Sequence, residues 1–295
     1  MTNRLRMRVC GTMLAGYLAA CEGADTSSNI HSGCAVEAGT VRIAAAKARL
    51  GAARLYPEEQ TREVELDAFD IDRTEVTNAQ FAAFIEETGY VTTAERAQPD
   101  AGVPGGGVFR PPTASQPTWW HFVEGASWRH PEGPTSNLDG RENEPVVQVS
   151  LEDARAYADW AGRRIPTEDE WEYAATAGAQ TLFPWGAERA PNGVSRANGW
   201  QGAFPVQNSA ADGYAGRSPV GCFPANALGL HDMIGNVWEW TETPFRYGNQ
   251  PEGFMIKGGS FLCAPSYCQR DRGAARQSQE ADFSTNHTGF RTVSR

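Results

Sequence analysis

PVVQVSLEDARAYADWAGRRIPTEDEWEYAATAG, residues 145–178, contains two helix beginnings written the same way. Ser150 is followed by Asp153, and Thr167 by Glu170. Each pair places a hydroxyl to accept from the third helical amide and a carboxylate to reach back to the cap amide. After Ser150, the residues Ala154, Tyr157, Ala158 and Ala161 recur at helical spacing and are expected to point inward, with Gly162 as the stop. After Thr167 the helix is expected to run through Trp171 to about Ala177, with Gly178 following it.

Working outward, Thr77 and Gln80 form a third capping box, and Phe81, Phe84 and Ile85 extend a helical pattern up to Gly89. EVELDAFDID, residues 63–72, alternates apolar and polar residues as a half-buried strand does. The stretches 98–143 and 183–229 are rich in Pro and Gly and predict long loops, which inside a compact domain are usually functional or held by ligands. No internal repeat and no second composition regime is visible. We therefore expect a single domain over residues 39–295, of irregular α/β character with little regular structure, preceded by a small, polar, flexible tether over 21–38.

The bulk numbers agree with a soluble globular domain: 295 residues, 40% hydrophobic and 21% charged. Nine Trp, 31 Gly and 18 Pro suggest irregular backbone pinned by large aromatic side chains. A net charge of −10, with no basic run beyond the first eight residues, argues against nucleic-acid binding, which needs a basic face. Arg4, Arg6 and Arg8 precede a short apolar stretch, residues 9–20, too short to span a bilayer. Leu18-Ala19-Ala20-Cys21 resembles a bacterial lipobox, which predicts a signal peptide over 1–20 and lipidation of Cys21. The expected location is outside the cytoplasm, anchored by lipid to a periplasm-facing membrane; a later true start would leave the chain inside. Glu22, in place of Asp, offers nothing obvious to retain it at an inner membrane.

Beyond Cys10 and Cys21 in the leader, the cysteines are Cys34, Cys222, Cys263 and Cys268. In an exported protein any two can be oxidised together, and the pairing is not legible. Cys263 and Cys268 would lie roughly 16 Å apart in an extended strand, so Ala264-Pro265-Ser266-Tyr267 must bend for them to share anything. Their spacing leaves three readings open: a plain disulfide, a zinc site lacking its other ligands, and a two-thiolate Cu(I) site.

Several blocks resemble the formylglycine-generating enzymes, the sulfatase-modifying factors. They are residues 67–90, WRHPEGPTS (128–136), residues 145–178, ANGWQGAFP (197–205), GLHDMIGNVWEWT (229–241), KGGSFLCAPSYCQRDRGAAR (257–276) and TGFR (288–291). The resemblance implies an irregular α/β fold related to C-type lectins. It also implies an activity: oxidation of the cysteine in a Cys-x-Pro-x-Arg segment of an unfolded sulfatase to formylglycine, with copper, dioxygen and a thiol reductant. In that chemistry the substrate thiolate joins the copper, a hydrogen leaves its Cβ, and the resulting thioaldehyde is hydrolysed. Cys263 and Cys268 would hold Cu(I), Ser260 would be the active-site serine, and Trp238, Arg270 and His287 would hold the substrate or an oxygen species. Two structural Ca2+ sites are implied, one from Asn198, Gly199, Asp212 and Tyr214, the other from Asp232, Gly235, Val237 and Glu239. A monomer is expected.

The match also departs. Ala158, Ala175, Gly273 and Thr292 stand where secretory relatives carry half-cystines, and Ala264 stands where some carry a larger polar residue. The helix and GNVWEW blocks are shared with non-catalytic, lectin-like members, so a binding module is the competing reading. An iron oxygenase would need clustered histidines, and His31, His121, His130, His231 and His287 show no such spacing.

Overall fold

In the computed structural model, which describes residues 34, 38–51, 55–246 and 253–295, all three capping boxes are formed with both arms. In chain order the elements are β1 (Thr40–Ile43), β2 (Ala46–Leu50), β3 (Arg62–Leu66), β4 (Phe69–Asp72), α1 (Asn78–Thr88), β5 (Gly105–Phe109), β6 (Trp120–Glu124), α2 (Leu151–Trp160), α3 (Glu168–Thr176), β7 (Trp238–Phe245), β8 (Gly253–Lys257), β9 (Gln277–Gln279), β10 (Thr288–Gly289) and β11 (Val293–Ser294). Helix α1 ends at Gly89, whose φ of 64° supplies the left-handed cap. Two details differ from expectation. Ala161 does not face inward: α2 stops at Trp160, and Ala161 is its exposed cap, because Arg163 turns back to bond Ala158. At the end of α3 it is Ala177, with φ 53°, that takes the left-handed cap ahead of Gly178.

The alternating stretch 63–72 is two strands, not one. The break falls at Asp67-Ala68, where the buried positions shift from Leu66 to Phe69 and Ile71, and the partners change with it: β3 pairs with β2 in a hairpin, while β4 lies between β1 and β11. A four-stranded sheet, ordered β10-β7-β8-β9, carries the chemistry-bearing segments, and β5–β6 form a separate hairpin.

Between α1, α2 and β7 lies an aromatic core. Phe81 has ring centroids 5.3 Å from Phe84 and Trp128, and 5.9 Å from Tyr157, and Trp240 donates from Nε1 to the Val149 carbonyl at 3.0 Å. Large rings thus pin backbone that has little regular structure of its own. Buried charge ties the layers together. Arg291, wholly buried, forks onto Glu239 at 2.7 Å with two nitrogens and donates to the carbonyls of Asp72 and His231; Glu239 also accepts from Trp171 Nε1 on α3 at 2.7 Å.

Cys34 is disulfide-bonded to Cys222, so the end of the expected tether is fastened to the domain. The four absent half-cystines therefore do not leave the domain without a covalent cross-link. The bond spans 188 residues, and closing so long a loop restricts the unfolded chain by up to about 5 kcal/mol. Cys34→Ser should lower the urea midpoint by a large part of that, and in the wild type a reductant should reproduce the shift. The expected leader over 1–20, Cys21 and most of the tether lie outside the described residues, within which no helix is long and apolar enough to cross a membrane.

Candidate active site

Strand β8 ends in Gly258-Gly259, both at positive φ. At Gly259 a Cβ would sit 2.6 Å from the Asp271 Cα, so only glycine lets this strand end lie directly on the segment that follows the second cysteine. Ser260 then begins a tight turn: its carbonyl accepts from Cys263 N at 2.9 Å and its Oγ from Leu262 N at 3.3 Å. Ala264 and Tyr267 exchange two backbone bonds, of 2.8 and 3.0 Å, closing a hairpin around Pro265-Ser266. Cys268 follows at φ 53°, a left-handed conformation that is costly for a residue with a side chain. The expected bend is therefore present, and it brings the two sulfurs to 2.6 Å.

That separation is longer than the ~2.05 Å of a disulfide and inside ordinary contact distance, so the two thiols sit as immediate neighbours without being bonded. Cys263 is fully buried in the aromatic core, and Cys268 is half-buried. The hydrogen bond from Cys263 draws the Cys268 thiol below its usual range, helped by the Arg270 backbone amide, while burial and its neighbour push Cys263 well up. Of the two, Cys268 is therefore the first to give up its proton.

The sulfurs form the floor of a cleft of about 290 Å³, also walled by Ser260, Trp238 and His287. Pairing of β10 with β7 places the last two, through a bond from Trp238 N to the His287 carbonyl at 2.8 Å. Burial and the nearby Arg217 lower His287 to about 3, so its imidazole is neutral near pH 7; its ring lies 4.7 Å from Trp120, and its Nδ1 is buried without a partner. A histidine whose folded pKa lies below its unfolded value of about 6.5 loses stability as pH falls through that interval, because only the unfolded chain takes up the proton. His287→Asn should flatten the acid limb of the stability curve between pH 6.5 and 3, read by denaturant melts.

Arg270 is not in the cleft wall. Its guanidinium pairs with Glu58 and the Arg276 carbonyl and lies 3.9 Å from the Tyr56 ring. The other side of the cleft is aromatic: Phe204 and Tyr267 stack at 4.0 Å, with Trp119 edge-on to both, and Trp120 beside them. Sequence reading missed these rings. Trp119-Trp120 within a Pro-rich loop was the one available signal, and it carried no address.

The residues of the two candidate calcium sets are brought together. Asp212 accepts from the amides of Gly199 and Tyr214, both at 3.1 Å, and Asn198 Oδ1 is buried without a partner. Asp232 accepts from Gly221 N at 2.6 Å through one oxygen, leaving Oδ1 buried and unpaired. The sets adjoin: Asn236 N donates to the Asn198 carbonyl at 3.0 Å, and a Cβ on Gly235 would lie 2.1 Å from that carbonyl oxygen. Hard, unfilled oxygens at Asn198 and Asp232 suit Ca2+. Glu239 suits it less well, because Arg291 and Trp171 already take both its oxygens. Among the described residues no three His, Cys, Asp or Glu side chains converge on one point, so each set would depend on backbone carbonyls.

The domain is thus irregular α/β, with two free thiols lining an open, aromatic-walled cleft. Residues 24–295 match the family model for the sulfatase-modifying factor enzyme 1-like domain, and the chain belongs to that family. It is 46% identical to the formylglycine-generating enzyme of Mycobacterium tuberculosis, over 83% of this chain and 94% of that one. It is also 39% identical to the inactive C-alpha-formylglycine-generating enzyme 2 of Bos taurus, over 80% of each. Among solved structures, PvdO from Pseudomonas aeruginosa shares the fold, with a TM-score of 0.63 and 23% identity over 86% of this chain and 93% of that one. Membership thus fixes the fold, and active and inactive relatives are both close. The contents of the cleft carry the functional argument.

Proposed function

We propose that this chain oxidises the cysteine of Cys-x-Pro-x-Arg segments in unfolded sulfatase polypeptides to formylglycine, using copper, dioxygen and a thiol reductant. The observation that carries this reading is the pair of sulfurs at 2.6 Å on the floor of an open cleft, one buried and one half-buried. Two soft donors without a third protein ligand fit Cu(I), and the cleft above them leaves space for a third sulfur. When bound there, the ion would supply the redox chemistry with dioxygen that thiols and imidazole cannot.

This chain's own residues bind, orient and manage protons. The cysteine pair gives up its protons when it becomes a ligand pair. Cys263, locked in the core, fixes the floor, and Cys268 faces the incoming peptide. The rings of Trp238, Trp120, Phe204 and Tyr267 offer flat apolar walls for a proline and keep water out. Neutral His287, with Nδ1 free, and the Ser260 hydroxyl are polar groups on these walls. Calcium in the adjoining loops would stiffen the base, supported by the unfilled oxygens of Asn198 and Asp232. The Cys34–Cys222 disulfide suits an exported chain, since such bonds persist outside the reducing cytosol.

The test is mass spectrometry of a short Cys-Thr-Pro-Ser-Arg peptide incubated with the purified chain, Cu(I), dioxygen and reductant. Conversion should appear as loss of one sulfur and two hydrogens with gain of one oxygen, and should stop without copper. A chain that neither binds copper nor converts the peptide would be a binding module.

A further inference from the structure

A second cavity, of about 310 Å³, lies against the same cysteine hairpin but is lined by its tip, Pro265-Ser266, rather than by its sulfurs. Arg189 stands in that wall. Its Nη2 donates to the Cys263 carbonyl at 2.6 Å, and its Nη1 pairs with Asp271, a buried carboxylate three residues beyond Cys268. The Cys263 carbonyl also receives Trp200 N at 3.0 Å, so it is held by two donors. One planar guanidinium therefore bridges the backbone of the first cysteine and the segment leaving the second. Asp271 in turn rests on Gly259, where strand β8 ends.

The route Arg189 takes depends on Gly199. A Cβ there would lie 2.8 Å from Arg189 Nη2 and 3.2 Å from the Cys263 carbonyl oxygen, so any larger residue would compete for the space the guanidinium occupies.

We propose that Arg189 is a positioning residue for the thiol pair: its fork, passing over Gly199, clamps Cys263 to Asp271 from behind the hairpin and sets how the two sulfurs face each other. The inference rests on the reading of the pair as a copper site. Arg189 does not line the cleft that holds the sulfurs, and it reaches the pair through the Cys263 carbonyl and Asp271. A bidentate clamp of this kind needs a planar fork; lysine keeps the charge beside Asp271 but cannot span both acceptors.

The experiment measures Cu(I) affinity of the full chain by competition with a chromophoric Cu(I) chelator, alongside kcat and KM for the peptide and a thermal melt. Groups that orient metal ligands typically change affinity by about 10- to 100-fold when removed. Arg189→Met should weaken Cu(I) by that amount and lower kcat with KM nearly unchanged. Arg189→Lys should fall between it and the wild type. Gly199→Ala, which keeps the arginine but displaces it, should move affinity in the same direction, guarding against a variant that fails only because a charge was lost. Variants that melt lower yet bind copper with wild-type affinity and keep wild-type kcat would overturn the inference, leaving Arg189 a structural ion pair. A wild-type chain that binds no copper would instead defeat the proposed function itself, a different and separately visible outcome.

Discussion

Cys268→Ser should reduce conversion of the Cys-x-Pro-x-Arg peptide by at least about a thousandfold while leaving the fold almost untouched. Serine offers a hard oxygen where a soft ion needs sulfur, and it removes the more acidic of the two thiols. Cys268 is only half-buried, so exchange for a residue of similar size should cost under about 1 kcal/mol. Cys263→Ala should abolish turnover equally but cost more stability, because Cys263 is fully buried among core side chains. Peptide mass spectrometry paired with urea melts separates the two. Turnover in Cys268→Ser near the wild-type rate would remove the two-thiol centre from the chemistry, whatever happens to stability.

Arg291→Met should be the most destabilising single change among the polar residues, at about 3–5 kcal/mol. The guanidinium is wholly buried, and Glu239, Asp232 and Glu75 all lie within reach of its charge. Removing it leaves Glu239 buried with only Trp171 as a donor. Burial and Asp232 already push Glu75 well above its usual range, so these carboxylates tolerate little more unbalanced charge. The double variant Arg291→Met, Glu239→Gln should recover part of the loss, since the orphaned charge is gone. Urea melts of both variants give the comparison. A single-variant loss below about 1 kcal/mol would mean that a cation or bound protons already balance the cluster.

What could be read from the sequence followed the range of the interaction. All three capping boxes were legible because each is completed within four residues, and the aromatic face of α1 because its period is local. The division of 63–72 shows in the sequence only as a slip in the alternation between Leu66 and Phe69, and that slip does not say which strand lies alongside each half. Ile71 pairs with both Val41 and Val293, at opposite ends of the chain. In the site, Cys263 and Cys268 stood out by chemistry and closeness, and Ser260, Trp238 and His287 came from the resemblance. Arg189 could not have been found: it reaches Cys263 across 74 positions of the chain, and its only trace is a glycine at 199. Arg270 came from its position in a motif, and its partners Glu58 and Tyr56, brought near by tertiary folding, carried no signal in the sequence.

The staple between Cys34 and Cys222 also sets a leash length. Were Cys21 lipidated, as the leader leads one to expect, the stretch from 21 to 34 could separate membrane from domain by at most about 45 Å. The attachment point is then a fixed spot beside Tyr214 instead of a free end at Gly39, so the enzyme would swing about one corner of its surface. Which nascent chains can reach the cleft would depend on that pivot, and a reducing surrounding would release it.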